Sequence, residues 1–304
     1  MKQILKQLVR TAGPRLGRSK TARDIFYLIA QDFTPCVTAS VGKYRYQVST
    51  ADRTVGREVF LTGGFDAPCI EEIFAVLGGL GFADFQGKLF LDIGANIGTT
   101  SVPVVMERGF SSGVAIEPEP TNFALLRSNV AANGMEERIR CINLALSDRA
   151  GHAEMELCPV NMGDHRLRSH DGTAGDGIYQ EMSRATVRVP TATFDSLAKN
   201  KSIPLDKLGL VWIDTQGHEG HVLQGARTLL GSRVPVVVEY WPYALERAGG
   251  MKLFEELVRE NYTQFVDTRA AGNAGRHALQ PIRMLGALKE RYTGPGLTDL
   301  LLLK

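Results

Sequence analysis

The chain has 304 residues, 44% of them hydrophobic, and a formal net charge of +2. That length fits one decorated α/β domain with a sizeable core, and the balanced charge gives no case for a nucleic-acid surface. The four cysteines, Cys36, Cys69, Cys141 and Cys158, are scattered with no C-x-x-C pair. This argues against a zinc site or a disulfide framework and suits a reducing, cytoplasmic compartment.

At the N-terminus, Ile4, Leu5, Leu8 and Val9 share one helical face, and Lys2, Lys6 and Arg10 another. The apolar run is too interrupted for a signal peptide or a transmembrane span. Such a helix can lie on an anionic membrane; packing on its own domain or on a partner subunit of a homo-oligomer is favoured. Helical patterning continues from Ala22 to Ile29. From Val41 to Gly64 the period shortens. Tyr44, Tyr46 and Val48 alternate with polar residues, and Val55 and Val59 to Leu61 follow less cleanly, which predicts a β-hairpin leading into Gly63-Gly64. A helix from Pro68 to Leu80 stops at Gly81. Residues 1–85 read as a helical and hairpin cap on a domain spanning 86–304.

The stretch Lys88 to Pro120, KLFLDIGANIGTTSVPVVMERGFSSGVAIEPEP, reads as strand, glycine turn, helix, strand. Leu89, Phe90, Leu91 and Ile93 form an apolar run of the kind buried on both faces. Asp92 stands at its end, and Val114 to Ile116 ends on Glu117. Ligands of open α/β sheets bind at this carboxyl edge, where strand order reverses. The turn does not fit the dinucleotide fingerprint G-x-G-x-x-G, because Asn96 holds the middle glycine position. It fits D-x-G-A-N-x-G, a turn that holds S-adenosylmethionine (SAM), with Gly94, Asn96 and Gly98 around the amino-acid end and Glu117 placed for the ribose hydroxyls. An α/β turn without a ligand is the bland alternative.

A helix from Asn122 to Ala132 stops at Gly134. A third strand, Ile139 to Leu146, ends at Ser147-Asp148, which can meet an adenine; a solvated turn is an equal reading for Asp148. Residues 159–185 are polar, glycine-rich and aperiodic, and hold Asn161, His165 and His170. A loop of this length is usually functional or disordered, so it is the candidate lid. Val187 to Val189 resume as a strand, and Thr193 or Asp195 caps the next helix. Strand four, Leu210 to Ile213, ends on Asp214; a helix runs from Val222 to Leu230. Strand five, Val234 to Val238, ends on Glu239-Tyr240-Trp241-Pro242. Asp92, Asp214 and Glu239 on one sheet edge are costly without partners or a cationic ligand, and a sulfonium cofactor would be such a ligand. A helix from Leu253 to Val258 and strands at Gln264–Asp267 and Leu300–Leu303 complete the chain.

These stretches together resemble the FkbM-type SAM-dependent methyltransferases. The resemblance rests on D-I-G-A-N-I-G from Asp92, E-P-E-P from Glu117, N-V-A-A-N from Asn129, Thr193-Phe194-Asp195, W-I-D-T-Q-G-H-E from Trp212, V-L-Q-G-A from Val222 and Glu239 to Pro242, and covers about residues 40–245. Many members read D-V-E-G-A-E where this chain has D-T-Q-G-H-E, and Gln216 cannot act as a base. The resemblance implies a class I, Rossmann-like mixed sheet, mostly parallel with a reversed final strand and flanked by helices. It implies an O-methyltransferase acting on a hydroxyl of a sugar-like or polyketide-like small molecule or glycan. Methyl transfer needs an aligned hydroxyl and a proton acceptor, for which His218, Glu219 and His165 are the candidates, with His221 behind them. Asn161, His221, Glu239, Tyr240 and Trp241 are the candidate acceptor contacts, Tyr240 and Trp241 as flat faces for a sugar ring; core packing is the other reading of Trp241. No metal is required, although the acids could hold Mg²⁺. The Asn/Asp-Pro-Pro-Tyr stretch of nitrogen methyltransferases is absent after strand four; a non-catalytic SAM-binding scaffold stays open.

Overall fold

The computed structural model describes residues 19–40, 42–168, 177–269 and 278–304. The segment Lys2–Arg10, His170 and residues 270–277 lie outside the described residues. The chain divides into two compact units, one running to Phe65 and including Pro159–Gly163, the other comprising Asp66–Cys158 and Asp164–Lys304.

The smaller unit holds the helix Lys20–Ala30, a hairpin of β1 (Cys36–Ala39) and β2 (Tyr46–Ser49), and the helix Val55–Thr62. The second strand expected at Val55–Leu61 is thus a helix, and the hairpin lies one strand earlier. The cause is local. The Asp52 carboxylate accepts the backbone N–H groups of Thr54 and Gly56 at 3.0 and 2.8 Å, which starts a helix. Val55 and Val59 then fall on one face at i, i+4 and are buried. The Tyr27 hydroxyl lies 2.5 and 2.7 Å from the Ser49 and Asp52 carbonyls and ties the first helix to this corner.

The larger unit contains an eight-stranded sheet and a four-stranded one. The first is built from β3 (Leu89–Ile93), β4 (Ser112–Ile116) and β5 (Ile139–Ile142). The second takes β6 (Ala145–Leu146), β7 (Gly151–Glu156), β8 (Arg166–Leu167) and β9 (Thr186–Ala192). The chain then returns to the first with β10 (Leu208–Ile213), β11 (Val236–Tyr240), β12 (Gln264–Asp267), β13 (Leu279–Pro281) and β14 (Thr298–Leu303). The large sheet runs β13-β12-β14-β11-β10-β3-β4-β5. Its centre is parallel, and β14 is antiparallel between β11 and β12. This is the mixed sheet with a reversed final strand that the sequence implies. The chain steps outward from β3 to β4 and β5, then crosses back to β10 on the other side of β3. The order therefore reverses between β3 and β10, and their carboxyl ends open the crevice where ligands of such sheets bind. Leu91, Ile93, Val211, Ile213, Val236–Val238 and Leu300–Leu302 are fully buried, as expected for strands covered on both faces.

The four-stranded sheet is a departure from expectation. Ile139–Leu146 is not one strand: it breaks at Asn143, whose side-chain amide donates to the carbonyls of Glu117 and Pro118 at 2.8 and 3.0 Å. Ala145–Leu146 then pairs in parallel with Thr191–Ala192. The long helix expected from Val222 to Leu230 is two short ones, Glu219–Gln224 and Arg227–Leu230. Asp195 caps the second of these, accepting from the N–H groups of Arg227 and Thr228, while Thr193 caps its own helix. In the segment expected as a lid, Arg166 sits in buried ion pairs with Asp164 at 2.6 Å and Glu181 at 3.0 Å.

Gly94 decides how closely β3 and β10 can end. A Cβ there would lie 1.7 Å from the Asp214 carbonyl oxygen, and its φ is +89°. Gly134 also has a left-handed φ, +66°, but nothing lies within 4 Å of its Cβ position. Gly134→Ala should cost only the backbone term, about 1 kcal/mol. Gly94→Ala adds a clash with backbone and should cost about 3 kcal/mol or more. Denaturant unfolding measures both, and equal losses would contradict the close approach.

Candidate active site

The turn after β3 is stitched to the end of β4. The backbone N–H groups of Gly94 and Ala95 both donate to the Ile116 carbonyl at 2.9 Å. Gly94, Asn96 and Gly98 all have positive φ, so the chain coils tightly and exposes N–H groups. One of these, on Asn96, donates to Glu117 at 2.9 Å; the other Glu117 oxygen accepts the Glu119 N–H at 2.8 Å. Glu117 is 5% exposed, and burial pushes its carboxyl up to about 8 against those hydrogen bonds. Asp92, buried beside the Ser101 hydroxyl that donates to it, is pushed up to about 7 by burial. The Asn96 side-chain oxygen is buried with no partner among the described residues. Glu119 plays a different part, capping the helix Pro120–Ala132 by accepting the Asn122 N–H at 2.6 Å.

The turn after β10 is organised from within. Glu219 Oε1 accepts from the Thr215 N–H at 2.8 Å, the Thr215 hydroxyl at 2.9 Å and the Gly217 N–H at 3.2 Å. Gln216 takes a left-handed φ of +54°. Its side-chain amide donates to Asp214 at 2.7 Å and to both Glu239 oxygens at 3.1 Å. Burial holds Asp214 and Glu239 well above the usual carboxylate range, and repulsion from neighbouring acids, Asp299 and Glu219 among them, raises both further.

Beside this turn lies a cavity of about 670 Å³. Its walls come from β7 and β9, from Ser147 and Asp148, from Gln216, His218 and His221, and from Ala244, Arg247 and Ala248. His218 Nε2 is 2.9 Å from the Ser147 hydroxyl, which itself donates to Asp148 at 2.9 Å. With that hydroxyl proton committed to the carboxylate, Ser147 can only accept from His218, so the ring proton sits on Nε2 and Nδ1 keeps its lone pair. Nδ1 is buried and has no partner among the described residues. The His221 ring stacks on His218 at 4.5 Å and donates to the Ala248 carbonyl at 3.0 Å. Burial, and secondarily His221, push His218 down to about 3, so it is neutral at ordinary pH.

A family model, Methyltransferase FkbM domain, matches residues 92–267. This chain belongs to the FkbM methyltransferase domain family. It is 26% identical over 162 residues to the 2-O-methyltransferase NoeI of Sinorhizobium fredii, a match covering 50% of this chain and 63% of that protein. It is 26% identical over 154 residues to the hexuronic acid methyltransferase AglP of Haloferax volcanii, covering 51% and 56% respectively. The matches thus span less than two thirds of either relative. Among solved structures, an O-methyltransferase from Bacillus cereus in complex with SAH aligns at 12% identity and a TM-score of 0.40, over 78% of this chain and 81% of that one.

Within the FkbM domain, Gly94, Asn96 and Gly98 share the turn after β3 and the Asn96 N–H meets Glu117, and Asp92, Asp214 and Glu239 lie at or beside the same carboxyl edge. Ser147 and Asp148, expected at an adenine, are engaged with His218 and line the cavity. Glu219, a proton-acceptor candidate, spends one oxygen on three donors and is absent from the cavity wall. His165 accepts the Cys158 N–H at 3.0 Å and is pushed down by burial; it too is off the wall. Asn161 accepts the Gly163 N–H within the smaller unit.

The aromatic platform is overturned. Tyr240 is fully buried against Phe254. Trp241 is 5% exposed, donates to the Gly294 carbonyl at 2.9 Å, and has the Arg166 guanidinium 4.5 Å from its ring. Both rings are core: Tyr240 because strand five runs two residues further than its apolar pattern suggests, Trp241 because it opens the helix Pro242–Arg247 with its indole N–H tied to the Gly294 carbonyl. The arginines of β7–β9 and Arg247 were missed; the alternation of His152, Glu154 and Glu156 with Ala153 and Met155 is the signal that marks a one-sided strand there. Trp241→Leu should lower stability by about 2–3 kcal/mol through lost packing; an unchanged melting temperature would contradict its core role.

Proposed function

We propose that this protein is a SAM-dependent O-methyltransferase that methylates a hydroxyl of a sugar-like acceptor. The observation that carries this reading is the juxtaposition of the β3–β4 turn, through Gly94 and Asp214, with a polar cavity walled by Gln216 and His218. The two named relatives, a 2-O-methyltransferase and a hexuronic acid methyltransferase, point to the same class of acceptor.

The residues fit the cofactor. Glu117 has a buried carboxylate with acceptor capacity left over, suited to two ribose hydroxyls, and the Asn96 side-chain oxygen is an orphan acceptor beside it. Asp92, Asp214 and Glu239 place carboxyl groups near that edge, where cationic groups of a ligand would offset the burial of all three and the repulsion between Asp214 and Glu239. SAM supplies an electrophilic methyl group on a sulfonium.

The chain itself must orient the acceptor oxygen and take its proton. His218 is held by the Asp148–Ser147 pair in the tautomer that leaves the lone pair of the buried Nδ1 unused. An imidazole depressed to about 3 is a poor base toward a free alcohol. It is adequate here, because the hydroxyl proton becomes strongly acidic as the oxygen bonds to carbon, and a protonated ether is a far stronger acid than an imidazolium. His218 therefore accepts a hydrogen bond first and the proton late. Loss of a proton from imidazolium should accordingly leave no step near 6.5 in the pH dependence of kcat. Such a step, abolished in His218→Gln, would refute the neutral assignment.

The test of the reading is formation of S-adenosylhomocysteine from SAM with hydroxylated sugars as acceptors; SAM binding without turnover on any sugar would sink it. Glu117 supplies a second test. Its free-protein pKa of about 8 lies above the ordinary carboxyl value of 4.5, so the free protein binds the extra proton between those values and its stability falls as pH rises through that window. Ribose hydroxyls donate to the ionised form, so SAM binding should release a proton, and affinity should rise with pH up to about 8 and then level. Calorimetry in buffers of different ionisation enthalpy reads the proton directly. Glu117→Ala should weaken SAM binding by about 1.5–3 kcal/mol for each lost bond, and unchanged affinity in a folded variant would remove Glu117 from the ribose.

A further inference from the structure

The helix Lys20–Ala30 packs with one face and leaves an apolar face open. Tyr27 and Ala30 are its buried residues. The Tyr27 hydroxyl reaches the Ser49 and Asp52 carbonyls, and Arg57 holds Asp24 through two contacts of 2.7 and 2.6 Å. These contacts fix the helix within its own unit. Ile25, Phe26, Leu28 and Ile29 take no part in them and are between 43% and 56% exposed. Their spacing at i, i+3 and i+4 gathers them on one face. The chain keeps turning past the helix, with the Phe33 N–H donating to the Ala30 carbonyl at 3.0 Å, and Phe33 is 82% exposed. Single exposed apolar residues are ordinary, but five between Ile25 and Phe33 form a patch of the kind that marks an interaction surface.

Charge indicates what covers it. The chain up to Phe65 carries eleven Lys and Arg against four Asp and Glu, a net +7, so the remainder carries −5 of a total of +2. Seven of those cations, and no acid, lie in the segment up to Arg23. This asymmetry calls for an anionic partner. A second copy docked by the same face would set two cationic segments against each other. A nucleic acid would use the cations and leave the apolar side chains in water. An anionic lipid surface takes both. At eleven residues the helix is too short to cross a bilayer, which takes about 20, so it meets one lying in the interface.

We propose that the Lys20–Ala30 helix is a docking surface for an anionic phospholipid bilayer. Ile25, Phe26, Ile29 and Phe33 enter the acyl boundary, and the cations of the segment up to Arg23 meet the headgroups. The apolar patch and the basic segment are two weak anchors acting together, so the attachment is reversible. The surface is independent of the methyltransferase reading.

The test is flotation of the full chain with vesicles of phosphatidylcholine alone or with about one third phosphatidylglycerol. Binding to the anionic vesicles should be at least about tenfold stronger, and raising NaCl from about 100 to 500 mM should weaken it several-fold. Ile29→Ser combined with Phe33→Ser changes exposed positions only, so it should weaken binding about tenfold at an unchanged melting temperature. Phe33→Trp reports insertion directly. The native Trp212 and Trp241 are buried, so a blue-shifted emission that brominated lipid quenches puts residue 33 in the acyl boundary. Absence of binding to the anionic vesicles, or an emission they do not change, overturns the proposal. Binding that survives the double serine variant is a contact of cations alone and overturns it as well. A dimer that dissociates in that variant, with no vesicle binding by the native chain, assigns the face to a second copy. A fall in melting temperature in its place assigns the face to packing within the chain, and either result overturns the membrane surface.

Discussion

The ends of β3 and β10 touch through backbone. The Asp214 carbonyl occupies the space a side chain on residue 94 would need, and the Asp214 N–H donates to the Ile93 carbonyl at 2.9 Å. Everything at the carboxyl edge follows from this contact. Because the two strands end flush, the turn carrying Asn96 and the turn carrying Gln216 are neighbours. It also crowds acidic side chains together. Gln216 answers that crowding with one neutral amide spanning two carboxylates. A glutamate at 216 would add a third acid at the same point, with no amide hydrogens to offer.

The edge and the cavity meet their charges differently. Around Asp92, Glu117, Asp214 and Glu239 the chain gathers carboxyl groups whose burial lifts their pKa values. Across the Gln216–His218 turn the wall carries both signs, with Arg166 on Asp164 and Glu181 and Arg168 on Glu156. His218 stands at the boundary, and its neutrality keeps it from favouring either side.

Most of the sheet was legible because its strands are short apolar runs ending in acids, with Gly94, Gly98 and Gly134 marking the turns. The residues around Glu117 were legible for the same reason: a carboxylate after a buried strand has few other uses. What misled were runs whose pattern suits two structures. Val55 to Leu61 has enough β-branched residues for a strand, and only the Asp52 cap makes it a helix. Tyr240 and Trp241 follow an apolar run directly, and nothing local says whether they leave the core. The cavity was not legible at all, since its wall is assembled from β7, β9 and two later segments. Ser147 and Asp148 were singled out, yet their engagement with His218, 71 positions distant in the chain, depends on that assembly.

Asn143 breaks an apolar run in two, and the halves serve different sheets. As a result, the excursion that builds the arginine-bearing wall leaves at β6 and comes back at β9 with the two strands hydrogen-bonded side by side, Ala145 to Thr191 and Leu146 to Ala192. A segment whose ends are already clasped imposes no length requirement on the rest of the chain. The cavity wall can therefore be lengthened, shortened or exchanged while the β3–β10 edge keeps its register. In evolutionary terms it is a cassette: one fixed sheet edge, and a replaceable surface beside it.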